Sequence, residues 1–244
     1  MTRLLTAERL TVPRRLLGIS ATLTPGTITA ICGPNGAGKS TLLAALAGLL
    51  EPDGGQVLLD GQALGELHPR QRARKIGYLP QQGEVAWDVP VRVLAALGRL
   101  PHGDAGEGEV AAALAAVGLT ALAGRRVSTL SGGERARAFL ARVLAGTPQW
   151  ILADEPLAAL DLAHQLALLR HLRHAADAGA GVVLVLHDLA MAMNHADRVL
   201  VLDRGELVAD GPPDQALAPA RITQAWGVTG RWLGEHGGRA LVLE

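Results

Sequence analysis

Cysteine is almost missing: Cys32 is the only one in 244 residues, which excludes a disulfide framework and any metal site built from several thiolates. Aromatic residues make up only 2% of the chain, so its core has to be assembled from Leu, Val, Ile and Ala rather than from large rings. Net charge is missing as well. The 23 Lys and Arg balance 23 Asp and Glu, leaving none of the basic surplus that binding to a phosphate backbone draws on, and no nucleic-acid partner is expected. The longest uninterrupted apolar run, Val110 to Val117, is far short of the ~18 residues needed to span a bilayer. The N-terminus carries no signal-type apolar stretch, so the expectation is a cytosolic chain that does not cross a membrane on its own. Lysine is scarce too, with only Lys39 and Lys75. Where Arg supplies nearly every other positive charge, a retained Lys points to a position that needs a compact ammonium.

What is present suffices for one well-buried domain: 49% hydrophobic residues in 25.3 kDa exclude general disorder. From Leu4 to Thr29 the pattern is of short strands and turns, and Ile28 to Cys32 is an apolar strand followed at once by a glycine-rich turn. Thr41 to Leu50 has helix-forming composition, Gln56 to Leu59 reads as a strand between turns, and His68 to Lys75 as a basic connector. Val91 to Gly98 and Val110 to Ala123 predict helices separated by the Gly-rich 103–108, and a further helix is expected from Gly132 through Ala145. Gln149 to Ala153, Val182 to Leu186 and Val199 to Leu202 are continuous apolar strands, with a helix from Leu160 to Asp177 between the first two. Alternation of this kind predicts a parallel α/β sheet, and a Pro-containing stretch at 211–219 is expected to close the core.

Gly33-Pro34-Asn35-Gly36-Ala37-Gly38-Lys39-Ser40 fits the phosphate-binding pattern of Gly, four residues, then Gly-Lys-Ser or Thr, in the required setting of strand before and helix after. Glycines let backbone N–H groups turn inward as an anion nest, and the helix N-terminus adds partial positive charge. Lys39 reaches the outer phosphates, and the Ser40 hydroxyl can ligate Mg2+. A nucleotide site of this kind needs a carboxylate to organise the metal, and Asp154 closes the apolar run Trp150-Ile151-Leu152-Ala153, at a strand C-terminus where ligands gather. Glu155, the next residue, is the candidate general base for an attacking water.

Leu130-Ser131-Gly132-Gly133-Glu134 reads as a helix start with Ser131 as cap and an acid in the first turn. It is also a second glycine-rich helix N-terminus, a second anion site in a chain whose ATP already has a cradle. Two cradles suggest a head-to-tail pair, each ATP held between the Lys39 loop of one chain and the Ser131 to Gly133 turn of another.

Together with Gln81 after Tyr78-Leu79-Pro80, Leu160-Asp161 and His187, these stretches resemble an ATP-binding-cassette ATPase over nearly the whole chain. The resemblance implies an α/β fold: a P-loop NTPase (RecA-like) core with an N-terminal antiparallel β subdomain and an inserted α-helical subdomain. Residues 1–80 and 146–244 would form the ATP-binding lobe and 82–145 the helical subdomain. It implies ATP and Mg2+ as ligands, with Gly33, Pro34, Asn35, Gly36, Ala37, Gly38, Lys39, Ser40 and Thr41 at the nucleotide. Gln81 would touch Mg2+ and the membrane partner, joining Ser40 and Asp154 at the metal. Ser131, Gly132 and Gly133 would be the signature acting in trans, with Asp161 at the dimer seam. His187 would contact the γ-phosphate, making Glu155, His187 and Lys39 the catalytic set. The implied partners are a second copy of the chain, an integral-membrane permease and, indirectly, a periplasmic or lipoprotein substrate-binding protein, on the cytoplasmic face of the inner membrane.

Arg74-Lys75-Ile76-Gly77-Tyr78-Leu79-Pro80-Gln81, Leu97-Gly98-Arg99-Leu100-Pro101-His102, Leu160-Asp161-Leu162-Ala163-His164-Gln165 and Gln224-Ala225-Trp226-Gly227-Val228 are similar to importer ATPases for iron–siderophore, haem and cobalamin. The chain departs from the family pattern in two places. Leu10-Thr11-Val12-Pro13-Arg14-Arg15 offers no aromatic to stack on adenine, leaving Val12, Arg14 and Arg15 as the nearest surfaces. Leu157-Ala158-Ala159-Leu160-Asp161 has Ala158 where Ser is commoner. The rival readings are another transported substrate, export, or a soluble cassette ATPase of translation or DNA repair. A P-loop kinase or GTPase has no need of Leu-Ser-Gly-Gly-Glu.

Overall fold

The computed structural model describes residues 3–81, 87–158 and 160–244. Residues 82–86, at the start of the expected helical segment, and Ala159 of the seam stretch lie outside the described residues.

The chain opens with the hairpin β1 (Leu5–Val12) and β2 (Leu16–Leu23), then enters β3 (Ile28–Cys32) and α1 (Lys39–Leu46). β4 (Gly54–Leu59) and β5 (Gln62–Ala63) return to the hairpin and complete a four-stranded antiparallel sheet in the order β2-β1-β4-β5. Next come α2 (Pro69–Lys75), β6 (Ile76–Leu79) and the helices α3 (Val91–Ala96), α4 (Glu107–Ala116) and α5 (Gly132–Ala145). The second half runs β7 (Trp150–Asp154), α6 (Leu162–Asp177), β8 (Gly181–Val185), α7 (Leu189–His195), β9 (Arg198–Asp203) and β10 (Glu206–Gly211). Two short helices, α8 (Pro213–Ala216) and α9 (Pro219–Trp226), precede the hairpin of β11 (Gly230–Leu233) and β12 (Ala240–Leu243).

The principal sheet has six strands in the order β10-β9-β3-β8-β7-β6, and every pairing except that of β10 with β9 is parallel. Every residue of β3, β7 and β8 is buried, as expected of parallel strands covered on both faces. The two-residue period of the strands then divides the interior. Ala30, Ile151, Ala153, Val182 and Leu184 pack with the helical insert and α6, whereas Ile31, Trp150, Leu152, Val183 and Val185 pack with α1 and the antiparallel sheet.

Several expectations need correction. His68 to Lys75 is no connector but carries the helix α2: the His68 ring accepts from Arg70 N, Gln71 closes a capping box and Pro69 takes the first helical position. None of its residues is buried, so it shows no apolar periodicity in the sequence. The helix expected over Thr41–Leu50 instead spans Lys39–Leu46, and the one expected from Leu160 begins at Leu162, with Asp161 as its cap. The stretch 211–219 does not close the structure, since α9 and the β11–β12 hairpin follow it.

The helical insert shares the main core through residues such as Val91, Leu114, Phe139 and Leu140. The buried Arg99 stiffens it, making two bonds to the exposed Asp104, of 2.8 and 2.7 Å, and a third to the Ala145 carbonyl. Arg74 of α2 donates to the carbonyls of Pro101 and His102, at 2.9 and 3.3 Å, which ties the insert to the segment that leads into β6.

Leu152 lies at the middle of β7 between two parallel neighbours and is fully buried. Leu152→Ala is expected to lower unfolding stability by about 2–5 kcal/mol, read as a reduced denaturant midpoint at unchanged m. An unchanged midpoint would contradict this packing.

Candidate functional site

The ends of four adjacent strands assemble the site. β3 delivers the glycine loop, β8 delivers His187, β7 delivers Asp154 and Glu155, and β6 delivers Gln81, all at their C-terminal ends in the order in which the strands lie. The loop is clamped on both sides. A Cβ at Gly33 would lie 2.1 Å from the Leu202 carbonyl oxygen, and one at Gly38 would lie 2.4 Å from that of Arg15. Both residues also have positive φ, at 152° and 101°, so glycine is required for space and for backbone conformation alike. Gly38 in turn caps α1, and Lys39 is the first residue of that helix. The turn at Pro13-Arg14-Arg15 therefore abuts the loop, with all three residues exposed.

Lys39 is buried, and its ammonium donates to the carbonyls of Gly33 and Pro34 at 2.9 and 3.0 Å. Burial pushes its pKa down, while the charges of Glu155, Cys32 and Asp154 pull it back up. The Cys32 thiol behind the loop is pushed up to about 12 by burial, which leaves it an inert core group. The Ser40 hydroxyl donates to Asp154 Oδ1 at 3.0 Å. Burial pushes the Asp154 carboxyl above its usual range, the Ser40 bond lowers it, and the neighbouring Glu155 raises it again.

Glu155 is held from two sides. Gln81 Nε2 donates to Glu155 Oε2 at 2.6 Å, and His187 Nε2 bonds Glu155 Oε1. Its backbone is left-handed, with φ 47°, a conformation that costs an L-residue about 1–2 kcal/mol. A turn closed by Ala158 N on the Glu155 carbonyl sustains it. Strain of this kind is found where surrounding structure over-determines a functional residue. His187 is set in turn by Asp188, whose carboxylate caps α7 by accepting from Ala190 N and Met191 N at 2.8 and 3.1 Å. Sequence reading passed over α7 and this role of Asp188. The available signal was an Asp immediately before an apolar, helix-forming segment.

The remaining candidates lie elsewhere. Ser131 caps α5 through a reciprocal pair with Glu134, the hydroxyl accepting from Glu134 N and the carboxylate from Ser131 N. Among the described hydrogen bonds none joins Ser131, Gly132 or Gly133 to the glycine loop. Asp161 caps α6 by accepting from His164 N at 2.9 Å, and its side chain is otherwise largely exposed. His164 packs directly on Gly133, a contact between the Ser131 turn and the first turn of α6 that sequence reading missed.

Comparison with known proteins accords with this geometry. Residues 16–158 match the model of the family described as ABC transporter. This chain belongs to the ABC transporter family. It is 49% identical over 219 residues to the hemin import ATP-binding protein HmuV of Nocardia farcinica, covering 87% of this chain and 76% of that one. With the protein of the same name from Myxococcus xanthus it shares 44% identity over 227 residues, 88% and 85% of the two chains. Among solved structures, an inward-facing one described as of metal-chelate ABC transporter type superposes with a TM-score of 0.83 at 26% identity, covering 100% of this chain and 97% of that one. CbiO1 of Clostridium perfringens, part of the transporter complex cbiONQ, superposes at 0.80 with 25% identity, covering 92% and 94%.

As an ABC transporter ATPase the chain binds and hydrolyses ATP, and the cluster around Asp154 is built at a cost in stability. A carboxyl raised by burial keeps its proton to higher pH in the folded chain than in the unfolded one, so the folded chain loses stability as pH climbs from the ordinary value of 3.8 through the raised one. Asp154→Asn keeps an acceptor for Ser40 and removes the buried charge. In buffer free of nucleotide and Mg2+ at neutral pH, this variant is expected to melt about 1–4 °C above the parent. The gap should narrow as pH falls toward the carboxylate range. A lower melting temperature at neutral pH would contradict the electrostatic reading of Asp154.

Proposed function

We propose that this ATPase energises import of a metal chelate through a membrane permease, with haem the first candidate among iron–siderophore, haem and cobalamin. Support for the substrate comes from the hemin import ATP-binding proteins at 49% and 44% identity and from the likeness to the metal-chelate type transporter. Support for the hydrolytic role is carried by one observation: Gln81 and His187, from strands on either side of β7, both bond the Glu155 carboxylate.

In this reading the loop amides of Gly36 to Ser40 and the Lys39 ammonium hold the phosphates of ATP, with Thr41 in the first turn of α1 behind them. Lys39 exchanges the Gly33 and Pro34 carbonyls for phosphate oxygens. Glu155 accepts the proton of the attacking water, its two bonded partners keeping the carboxylate in one orientation. The residues present suit Mg2+. A hydroxyl and a carboxylate oxygen lie 3.0 Å apart, and two neighbouring carboxylates face one Lys39. Ser40, Asp154 and Gln81 would hold the ion, and it would neutralise charge on the phosphates.

The Ser131–Gly133 turn, with Ser131 and Gly132 exposed and no described hydrogen bond to its own glycine loop, would complete the site of a second copy, with Asp161 at the seam. The nearest surfaces for the base would be Val12, Arg14 and Arg15. For the permease, Trp87, Leu97 and Leu100 expose large apolar surface on and just before the helical insert, Leu100 at 68%. No helix of the described residues is long and apolar enough to cross a membrane, and the chain would sit beneath the permease on the cytoplasmic face. A substrate-binding protein would act from the other side.

Lys39→Ala is expected to weaken ATP binding at least tenfold. Glu155→Gln should keep affinity within about threefold while turnover falls about a hundredfold or more, within the range that positioned proton transfer contributes. Hydrolysis by Glu155→Gln near the parent rate would remove the base assignment. Transport is tested by reconstituting the chain with a binding-protein-dependent permease in proteoliposomes. ATP-dependent haem uptake that iron–siderophore and cobalamin do not outcompete is expected, with uptake impaired by Leu100→Asp at undiminished ATPase activity of the isolated chain. Failure to associate with any permease would favour the soluble cassette reading.

A further inference from the structure

We infer that His164 is a positioning residue that locks the signature turn to the Asp161 seam, so that both present themselves to the partner's nucleotide as one rigid unit. The inference rests on the reading that the Ser131 turn serves the other chain's ATP. Gly133 is buried beneath the imidazole: a Cβ there would stand 2.2 Å from Cδ2, 2.5 Å from Cγ and 2.6 Å from Nε2 of His164. The ring therefore lies directly against the backbone of the first turn of α5, and only glycine permits that approach. Nδ1 of the same ring stands 2.7 Å from Asp161 Oδ1, the oxygen that also accepts from the His164 backbone N–H at 2.9 Å. Facing a carboxylate, Nδ1 carries the proton. The next residue reaches the other way, with Gln165 Nε2 donating to the carbonyls of Leu157 and Leu160, both at 3.2 Å. One turn of α6 thus grips the signature glycine on one side and the 157–161 stretch on the other. Contact of this kind fixes the height of the α5 N-terminus relative to Asp161, and a displacement of about 1 Å at a reacting site can cost a hundredfold in rate.

His164 touches neither the glycine loop nor Glu155 among the described contacts, so its loss should spare ATP binding and slow turnover. His164→Ala is expected to lower kcat about tenfold with ATP affinity of the isolated chain within twofold. His164→Asn, which can still donate to Asp161 from nearly the Nδ1 position, should recover kcat to within about threefold of the parent. Parent-like kcat in the alanine variant, or an asparagine variant no better than alanine at equal melting temperature, would overturn the inference.

Heterodimers purified through two different tags separate this idea from the reading beneath it. When one chain carries both Lys39→Ala and His164→Ala and the other is unaltered, the only working glycine loop faces the altered turn, and a slow rate is expected. When Lys39→Ala sits on one chain and His164→Ala on the other, the working loop faces an unaltered turn, and the full one-site rate is expected. The same two pairings with Ser131→Arg test the composite site itself. If Ser131→Arg distinguishes the pairings and His164→Ala does not, the inference fails alone. If neither distinguishes them, the composite-site reading fails and takes the inference with it.

Discussion

Parallel pairing of β3, β8, β7 and β6 at the usual inter-strand spacing of about 4.8 Å governs the placement of the candidate site's side chains. Each strand ends in a different functional group, and the sheet ranks them side by side: loop, histidine, paired acids, glutamine. Because β3, β7 and β8 are buried at every residue, these ends cannot shift without disturbing cores on both faces. The reach between Glu155 and its two partners follows from that alignment. They are 32 and 74 residues away in sequence but one strand away in space.

Electrostatics explains why such a site needs so rigid a scaffold. Lys39 and Asp154 are both buried, and burial drives each toward its neutral form. Glu155 adds a left-handed backbone to this burden. Phosphates and a cation would relieve these charges, so stability of the free chain and affinity for ligand pull against one another, as they commonly do at functional sites. The glycine loop shows the same compromise in steric form, wedged between the carbonyls of Leu202 and Arg15.

The helical insert has a different part in this picture. It joins the core through apolar packing and the Arg74 bonds to Pro101 and His102, and it carries the Ser131 turn, which no described hydrogen bond joins to the chain's own glycine loop. Through His164 the turn is gripped by α6, which starts at the seam. The glycine loop opens α1 and the Ser131 turn opens α5, and in the proposed function these two helix ends would close around ligand as a pair of chains comes together.

Much of this was legible in the residues alone. The glycine loop, Asp154-Glu155, the Ser131 turn and the central strands declare themselves because phosphate chemistry and buried parallel strands demand particular residue types at short, fixed spacings. α2 was not legible, because its cap is a histidine and none of its seven residues is buried, so no apolar period marks it. The terminal hairpin was missed for a similar reason, its strands being short and mostly exposed. Only the tertiary structure could decide that Gln81 and His187 meet on one carboxylate, and that His164 lies on Gly133 thirty-one positions earlier. Local sequence encodes the ends of strands and helices, but which ends become neighbours depends on strand order and helix packing, set by burial summed over the whole chain.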